Sequence, residues 1–236
     1  MTQKMPLFPL NTVLFPGAPI SLHIFEERYR MMIGRCLEQG SPFGVVLIRS
    51  GDEVQADDPW IRRLRALAGA AGEPDPAQGS PAIPHGIGTT ARITDSVRLD
   101  DGRYYLVAMG QHRFRIQYLI QHQPYLVASV SYLPEESSDA LHDAADVLRQ
   151  AYQHYWSRLQ AATGYAHEVE RLPEGVVELT YWLAHRLRVD TQRKQHWLEA
   201  DVATRISEMT AAIEAEVALL PGVRPPGEYG SIWAWN

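Results

Sequence analysis

Residues 6–17 read Pro6-Leu-Phe-Pro-Leu-Asn-Thr-Val-Leu-Phe-Pro-Gly17, an apolar run interrupted by prolines. Proline fixes its own φ and lacks an N–H, so it breaks a helix but is tolerated at turns and strand ends. A further proline, Pro19, follows soon after. The run therefore predicts short strands joined by tight turns, and it marks the amino-terminal half of the chain as β-rich.

One helix interrupts this β pattern. From 26 to about 38, apolar residues recur three and four positions apart, and Gly40 follows as a helix stop. Asp100-Asp101-Gly102-Arg103 predicts a hairpin, because Asp-Gly suits a tight turn. Period-two or continuous apolar patterns predict further strands at 43–48, 89–99, 104–117 and 125–133.

Beyond Pro134 the apolar period changes from two to 3.6. Helical spacing over 141–159, 176–187 and 198–220 predicts three helices, the last of them broken near Asp201, a candidate N-cap. The fold class is therefore α+β. We expect a β-rich domain over 1–133 with one short helix and an irregular insertion near 50–84, which itself holds a predicted short helix at 59–71. A helical subdomain over 134–220 and a Pro/Gly/Trp tail over 221–236 follow.

The composition describes a chain that can fold unaided. It has 236 residues, 45% of them hydrophobic, and a net charge of −6. A chain of this length buries roughly 70 to 75% of the surface that its unfolded form exposes. The single cysteine, Cys36, excludes an internal disulfide and is expected to be a buried structural thiol. With no secretory signal and no apolar window of about 18 residues, we expect a soluble cytoplasmic protein.

Motifs that carry catalysis are missing from the sequence. It has no phosphate-binding loop with its lysine, no Gly-x-Ser-x-Gly and no His-Glu-x-x-His. Gly86-Ile-Gly88-Thr-Thr-Ala91 lacks the preceding strand and following helix that dinucleotide binding needs. For His167 and Glu170 a solvated loop is favoured over a metal site. We therefore expect no catalytic residue, no cofactor and no metal.

Two kinds of binding surface remain. The segment 92–115 contains five arginines and three aspartates, an excess that suits RNA phosphates, although a solvated strand face is the favoured interpretation. The negative net charge also argues against a dominant footprint for nucleic acid or anionic lipid. The apolar residues of 7–17 and 22–30 suit either ordinary core or a surface that grips extended hydrophobic polypeptide through pockets and exposed strand edges.

Five segments in the same order resemble the amino-terminal domain of the Lon protease family: 6–17, 22–30, 42–48, 88–93 and 110–115. The similarity extends over about residues 5–218. The chain is also similar, more remotely, to the Lon-like domain of cereblon. The resemblance implies a PUA-like β-barrel of six strands with a short helix, followed by a C-terminal helical bundle subdomain. Two features depart from the family pattern: the segment near 57–84 is longer, and the Trp233-Ala-Trp235 tail is extra.

In Lon, that domain is implicated in recognising protein substrates and in assembly, while ATPase and Ser-Lys peptidase domains lie downstream. Because neither follows here, the resemblance implies a stand-alone, non-catalytic polypeptide-binding module, an adaptor or chaperone-like factor related to proteolysis. The expected partners are unfolded or hydrophobic polypeptide segments. A protease or a second copy of the chain is a further open partner, and neither nucleic acid nor a membrane is expected.

On this hypothesis we place polypeptide binding at Phe15, Pro16, His23 and Phe25. Two alternatives stay open. The first is an RNA-associated PUA-like module, because PUA-like barrels elsewhere bind RNA and the segment 92–115 is locally basic. The second is an enzyme of unknown type.

Overall fold

The computed structural model describes residues 2–51, 82–135, 140–163 and 171–220. Most of the predicted insertion with its helix at 59–71, the pair His167 and Glu170, and the tail over 221–236 lie outside the described residues. The elements, in chain order, are β1 (Gln3–Leu10), β2 (Pro19–Ile24), α1 (Glu27–Gln39), β3 (Phe43–Ser50), β4 (Ile83–Pro84), β5 (Ile87–Arg98), β6 (Tyr104–Gln121), β7 (Val127–Tyr132), α2 (Ala140–Thr163), α3 (Val176–Arg186), α4 (Thr191–Glu199) and α5 (Val202–Leu219).

Five of the strands form a closed ring. β1 pairs with β7, β7 with β6, β6 with β5 and β5 with β3, and β3 returns to β1 in a parallel pairing that sets Leu7 opposite Gly44. The closed ring confirms the predicted barrel and the α+β class. The described residues hold seven strands, against the six that the resemblance implied, because β2 and the two-residue β4 are added to the ring.

Large apolar side chains fill the barrel. Leu7, Val46 and Phe114 belong to one buried cluster. Glycine makes room for the Phe114 ring, since a Cβ on Gly44 would lie 2.7 Å from it and a Cβ on Gly88 2.9 Å from it. Because Gly44 and Gly88 have no side chain, β3 and β5 can approach the aromatic ring of Phe114.

Helix α1 confirms the helical spacing predicted from residue 26 onward. Glu26 occupies the N-cap, and the helix ends at Gly40, whose φ of 60° is left-handed. Its buried face includes Tyr29, whose ring centroid lies 4.2 Å from that of Phe8 on β1. Cys36 is buried on the same face, as predicted, and this burial raises the pKa of its thiol.

The hairpin of β5 and β6 extends beyond the ring. Its turn holds Gly102 at a φ of 81°, which is the conformation that the Asp-Gly pair predicted. β2 pairs antiparallel with the first half of β6, from Pro19 opposite Met109 to Ile24 opposite Tyr104. Residues 19–24, 104–109 and 92–98 thus form a three-stranded sheet in the order β2, β6, β5, which we call the outer sheet.

The loop between β1 and β2 is pinned to the barrel. Gly110 accepts a hydrogen bond from the Gly17 N–H at 2.9 Å, and its own N–H donates to the Ala18 carbonyl at 2.9 Å. The buried Thr89 hydroxyl donates to the Leu14 carbonyl at 2.6 Å. A Cβ on Gly110 would lie 2.2 Å from the Phe15 carbonyl oxygen, so glycine is required where the loop crosses β6.

The chain separates into two compact units. The described residues of Met1–Glu136 and Tyr181–Asp201 form the first, which holds the barrel, the outer sheet and α4. Those of Ser137–Thr180 and Val202–Asn236 form the second, in which α2 and α5 pack together. The sequence assigned all of 134–220 to one helical subdomain, whereas the contacts group 181–201 with the barrel. The domain boundary after residue 133 stays a prediction.

A buried arginine shows how α4 is held in the first unit. Arg113 on β6 donates to the carbonyls of Leu198 and Ala200, at 2.7 and 2.8 Å, at the end of α4. Its guanidinium also pairs with Glu135 at 2.5 Å. A cation at a helix C-terminus satisfies carbonyls that have no partner within the helix. The helix interruption predicted near Asp201 is confirmed, because α4 ends at Glu199 and α5 begins at Val202.

Candidate functional site

The outer sheet has one buried and one exposed face. On β6, Tyr104, Leu106 and Ala108 are buried, and the residues between them point to the opposite face. On that opposite face, the Tyr105 side chain is 52% exposed and the Val97 side chain 57% exposed. Two large apolar side chains are therefore presented to solvent on a regular sheet.

The strand register brings residues of three strands together on this exposed face. Tyr105 of β6 stands opposite His23 of β2 and Val97 of β5. In the next row, Val107 stands opposite Ser21 and Asp95. Together they line a shallow groove of about 350 Å³, which we call the outer groove and define by the side chains of Ser21, His23, Asp95, Val97, Tyr105 and Val107.

Aromatic rings form one side of the outer groove. The His23 ring stacks on the Tyr105 ring, with centroids 4.4 Å apart and planes 13° apart. The Phe25 ring lies next to it, with its centroid 5.8 Å from that of His23. The stacked His23 and Tyr105 rings and the Phe25 ring, whose plane is tilted 50° from that of His23, form an apolar platform, and the imidazole nitrogens can still exchange hydrogen bonds.

A cation lies at the end of this platform. Arg103 Nη1 is 3.4 Å from His23 Nε2, and Arg103 Nε is 2.6 Å from the Asp101 carboxylate. The Arg103 backbone N–H also donates to that carboxylate and lowers the pKa of Asp101. Arg103 is thereby oriented by the hairpin turn, and its charge is balanced by Asp101.

The structure brings together two of the four predicted binding residues. His23 lines the outer groove, and the half-buried Phe25 lies beside it. Phe15 is buried, with its ring centroid 6.1 Å from that of Tyr181, so its side chain cannot reach a polypeptide while the loop is in place. Pro16 is half-buried in the same loop. Binding at these positions stays a prediction.

Tyr105 and Val97 were missed by the sequence reasoning. The period-two pattern of β6 was a usable signal, because it sets Tyr105 apart from the buried residues on either side. Alternation along one strand does not reveal which residues of other strands stand opposite. A bulge between Ile93 and Asp95 also shifts the pairing, so that Asp95 comes to lie opposite Val107.

The arginine-rich segment 92–115 does not form one basic surface. Arg113 is buried and bound to helix carbonyls and to Glu135, and Arg103 pairs with Asp101. Because Glu135 lies outside the segment and neutralises Arg113, the excess falls from two positive charges to one, carried by exposed Arg92, Arg98 and Arg115 against Asp95 and Asp100. No observation supports the RNA alternative. Across the described part of the chain, no group of three or more His, Cys, Asp or Glu side chains could hold a metal ion. No helix among the described residues combines the length and the apolar character needed to cross a membrane.

Comparison with known proteins assigns the chain to one family. The family model of the ATP-dependent protease La (LON) substrate-binding domain matches residues 4–214. The Lon protease of Amoebophilus asiaticus is 31% identical over 193 residues, covering 79% of this chain and 20% of that protein. The Lon protease of Paraburkholderia phytofirmans is 27% identical and covers 92% of this chain and 25% of its own length. The chain thus spans a quarter or less of these relatives.

Solved structures show the same fold. The Lon N-terminal domain protein from Xanthomonas campestris is 25% identical, with a TM-score of 0.55, and the match covers 89% of this chain and 98% of that one. The N-terminal domain of Mycobacterium avium complex Lon protease is 16% identical, with a TM-score of 0.60, and the match covers 90% and 98%. The remoter resemblance to the cereblon domain stays a prediction.

Proposed function

This chain belongs to the family of ATP-dependent protease La (Lon) substrate-binding domains, and from that premise we propose that it binds unfolded polypeptide segments at the outer groove. In this role it acts as an adaptor or chaperone-like module that recognises polypeptide without cutting it. The proposal includes a cytoplasmic location and a partner protease that receives the bound polypeptide. It retains His23 and Phe25 from the sequence prediction and adds Tyr105 and Val97.

One observation carries the proposal: Tyr105 and Val97 stand side by side, more than half exposed, in a groove that the stacked His23 ring completes. Covering apolar surface is favourable by about 25 cal/mol per Å². Aromatic side chains at the centre of such a contact commonly contribute more than their neighbours do. An unfolded segment with its own apolar side chains exposed gains this free energy, and a folded protein has few such side chains to offer.

The test is a binding measurement with a permanently unfolded probe. Reduced, carboxymethylated α-lactalbumin carrying a fluorescein label is titrated with the full chain, and fluorescence anisotropy reports the Kd. Unlabelled native α-lactalbumin serves as the folded competitor. We expect the unfolded probe to bind and the native protein to compete poorly.

A matched pair of variants locates the site. Tyr105→Ser removes the central ring of the outer groove, whereas Tyr118→Ser removes a ring that is 63% exposed on the same strand, outside the groove. We expect Tyr105→Ser to raise the Kd about tenfold, or about 1.4 kcal/mol, and Tyr118→Ser to leave it within about twofold. If the two variants change the Kd equally, the outer groove is not the binding site. If the wild-type chain does not bind the unfolded probe, the proposed function is wrong.

A further inference from the structure

We propose that the bound polypeptide adds to β2 as an extra strand, so that its main chain, and not only its apolar side chains, is recognised. This inference rests on the proposed function and specifies the class of substrate: an extended, uncharged segment of alternating apolar and polar residues.

Among the residues that the structure describes, β2 pairs with β6 alone and is an edge strand. The Gly110 N–H donates to the Ala18 carbonyl, which establishes which residues of β2 face β6. Antiparallel strands alternate strictly in this respect. Ile20 and Leu22 therefore bond to β6, while the N–H and C=O groups of Ser21 and His23 point away from the sheet.

The two edges of the outer sheet differ in how they are protected. The β5 edge has a bulge between Ile93 and Asp95 and carries exposed Arg92 and Arg98. Bulges and charged side chains are the features that prevent another strand from pairing at an edge. β2 pairs with β6 without a register shift and has no Asp, Glu, Lys or Arg between its first and last residues. An incoming strand thus meets, at β2, an edge on which Pro19 and the Asp101-paired Arg103 lie only at the two ends, and, at β5, an edge that is bulged and carries arginines.

The outer groove adds side-chain contacts to this main-chain pairing. Neighbouring strands lie about 4.8 Å apart, so residues opposite Ser21 and His23 in an added strand stand next to the groove on its exposed face. The stacked rings of His23 and Tyr105 then cover an apolar side chain at that position. Every second side chain of the added strand points to the opposite face of the sheet, away from the groove. The favoured substrate therefore alternates apolar and polar residues.

A proline substitution removes one edge donor. Because the Ser21 N–H points away from β6, Ser21→Pro deletes a hydrogen bond to the added strand and leaves the β2–β6 bonds in place. The matched control is Ser96→Pro on the β5 edge, where Ser96 stands opposite the buried Leu106. Ser96 also lines the groove, so this variant places a proline beside the groove without removing a donor from the β2 edge. With the unfolded α-lactalbumin probe, we expect Ser21→Pro to raise the Kd at least about tenfold and Ser96→Pro to change it less than about twofold. Equal Kd values for Ser21→Pro and the wild type would overturn the proposal.

A second measurement uses the wild-type chain and does not depend on how the variants fold. The probe is a decapeptide of alternating valine and threonine, prepared unmodified, with N-methyl groups on every valine, or with N-methyl groups on every threonine. In an added strand only one set of N–H groups faces β2, so we expect one methylated peptide to lose binding and the other to keep it. Binding of both methylated peptides at the unmodified Kd contradicts edge pairing.

These outcomes separate the two proposals. If edge pairing fails while Tyr105→Ser still weakens binding, the proposed function stands and the added strand does not. If the wild-type chain binds no unfolded polypeptide, both fail. Light scattering completes the test: a dimer that Ser21→Pro converts to a monomer would assign the β2 edge to a second copy of the chain and overturn the polypeptide as its occupant.

Discussion

Replacing Gly88 with alanine tests the closure of the barrel. A Cβ at this position would lie 2.4 Å from the Val45 carbonyl oxygen, 2.6 Å from Val46 Cγ1 and 2.9 Å from Phe114 Cζ. The nearest of these atoms belongs to the backbone of β3, so no side-chain rotation can relieve the contact. Strand β5 has to move away from β3 at the point where Thr89 pairs with Val45.

The size of the effect follows from the number of atoms that must shift. Overpacking a well-packed core costs about 1 to 3 kcal/mol. Because Gly88→Ala meets a backbone atom, a core side chain and the central ring together, we expect a loss near the upper end, about 3 kcal/mol in the free energy of unfolding. For a chain of this length each kcal/mol shifts the Tm by about 2 to 4 °C, so the expected decrease is about 6 to 12 °C.

Differential scanning calorimetry and far-UV circular dichroism measure this decrease. The matched control is Gly86→Ala, two residues earlier, where a Cβ would meet nothing within 4 Å. Alanine restricts the unfolded chain more than glycine does, so Gly86→Ala should leave the Tm unchanged or raise it slightly. Equal Tm values for the two variants would refute the reasoning that places Gly88 against β3 and Phe114.

Three further predictions concern single buried groups. Arg113→Met removes the guanidinium that binds Glu135 and the end of α4. Urea titration should therefore show a loss of about 3 kcal/mol in unfolding free energy. The control Arg115→Met changes an exposed residue and should show no loss. Thr89→Val leaves a loop carbonyl without its buried donor, and the same titration should show a loss of about 1 to 2 kcal/mol. Burial raises the pKa of the Cys36 thiol, so Ellman's reagent should react with the folded chain far more slowly than with the unfolded chain. Because the unfolded thiol loses its proton first, the unfolding free energy should fall as pH rises above about 8.5, and Cys36→Ala should remove part of that fall.

Local periodicity was a sound guide to the elements of this fold. The helix that ends at Gly40, the hairpin at Gly102 and the break before Val202 all lie where apolar spacing and turn residues predicted them. Each of these features depends on a few neighbouring residues, because a helix or a tight turn is built from contacts within about one turn of the chain.

The candidate site was only partly predictable, because it depends on contacts between residues that are far apart in the sequence. The sequence predicted His23 and Phe25 together with Phe15; the first two lie at the outer groove, whereas the loop buries Phe15 in the core. It assigned Arg113 to a surface patch, although the end of α4 encloses that side chain. The local sequence around Phe15 or Arg113 is the same whether or not a distant element covers the side chain. The burial of these two residues could therefore not be predicted from their sequence neighbours.

The amino-acid sequence by itself determined the β-rich and helical halves, the turns and the family, because these follow from local spacing and from motifs that occur in order along the chain. Tertiary structure alone decided which residues meet. Arg103 lies 80 residues beyond His23 and yet 3.4 Å from its ring, because the pairing of β2 with β6 brings the two together. A shift of β2 by one residue in that pairing would turn His23 toward the buried face and take its ring away from Tyr105, since side chains alternate faces along a strand.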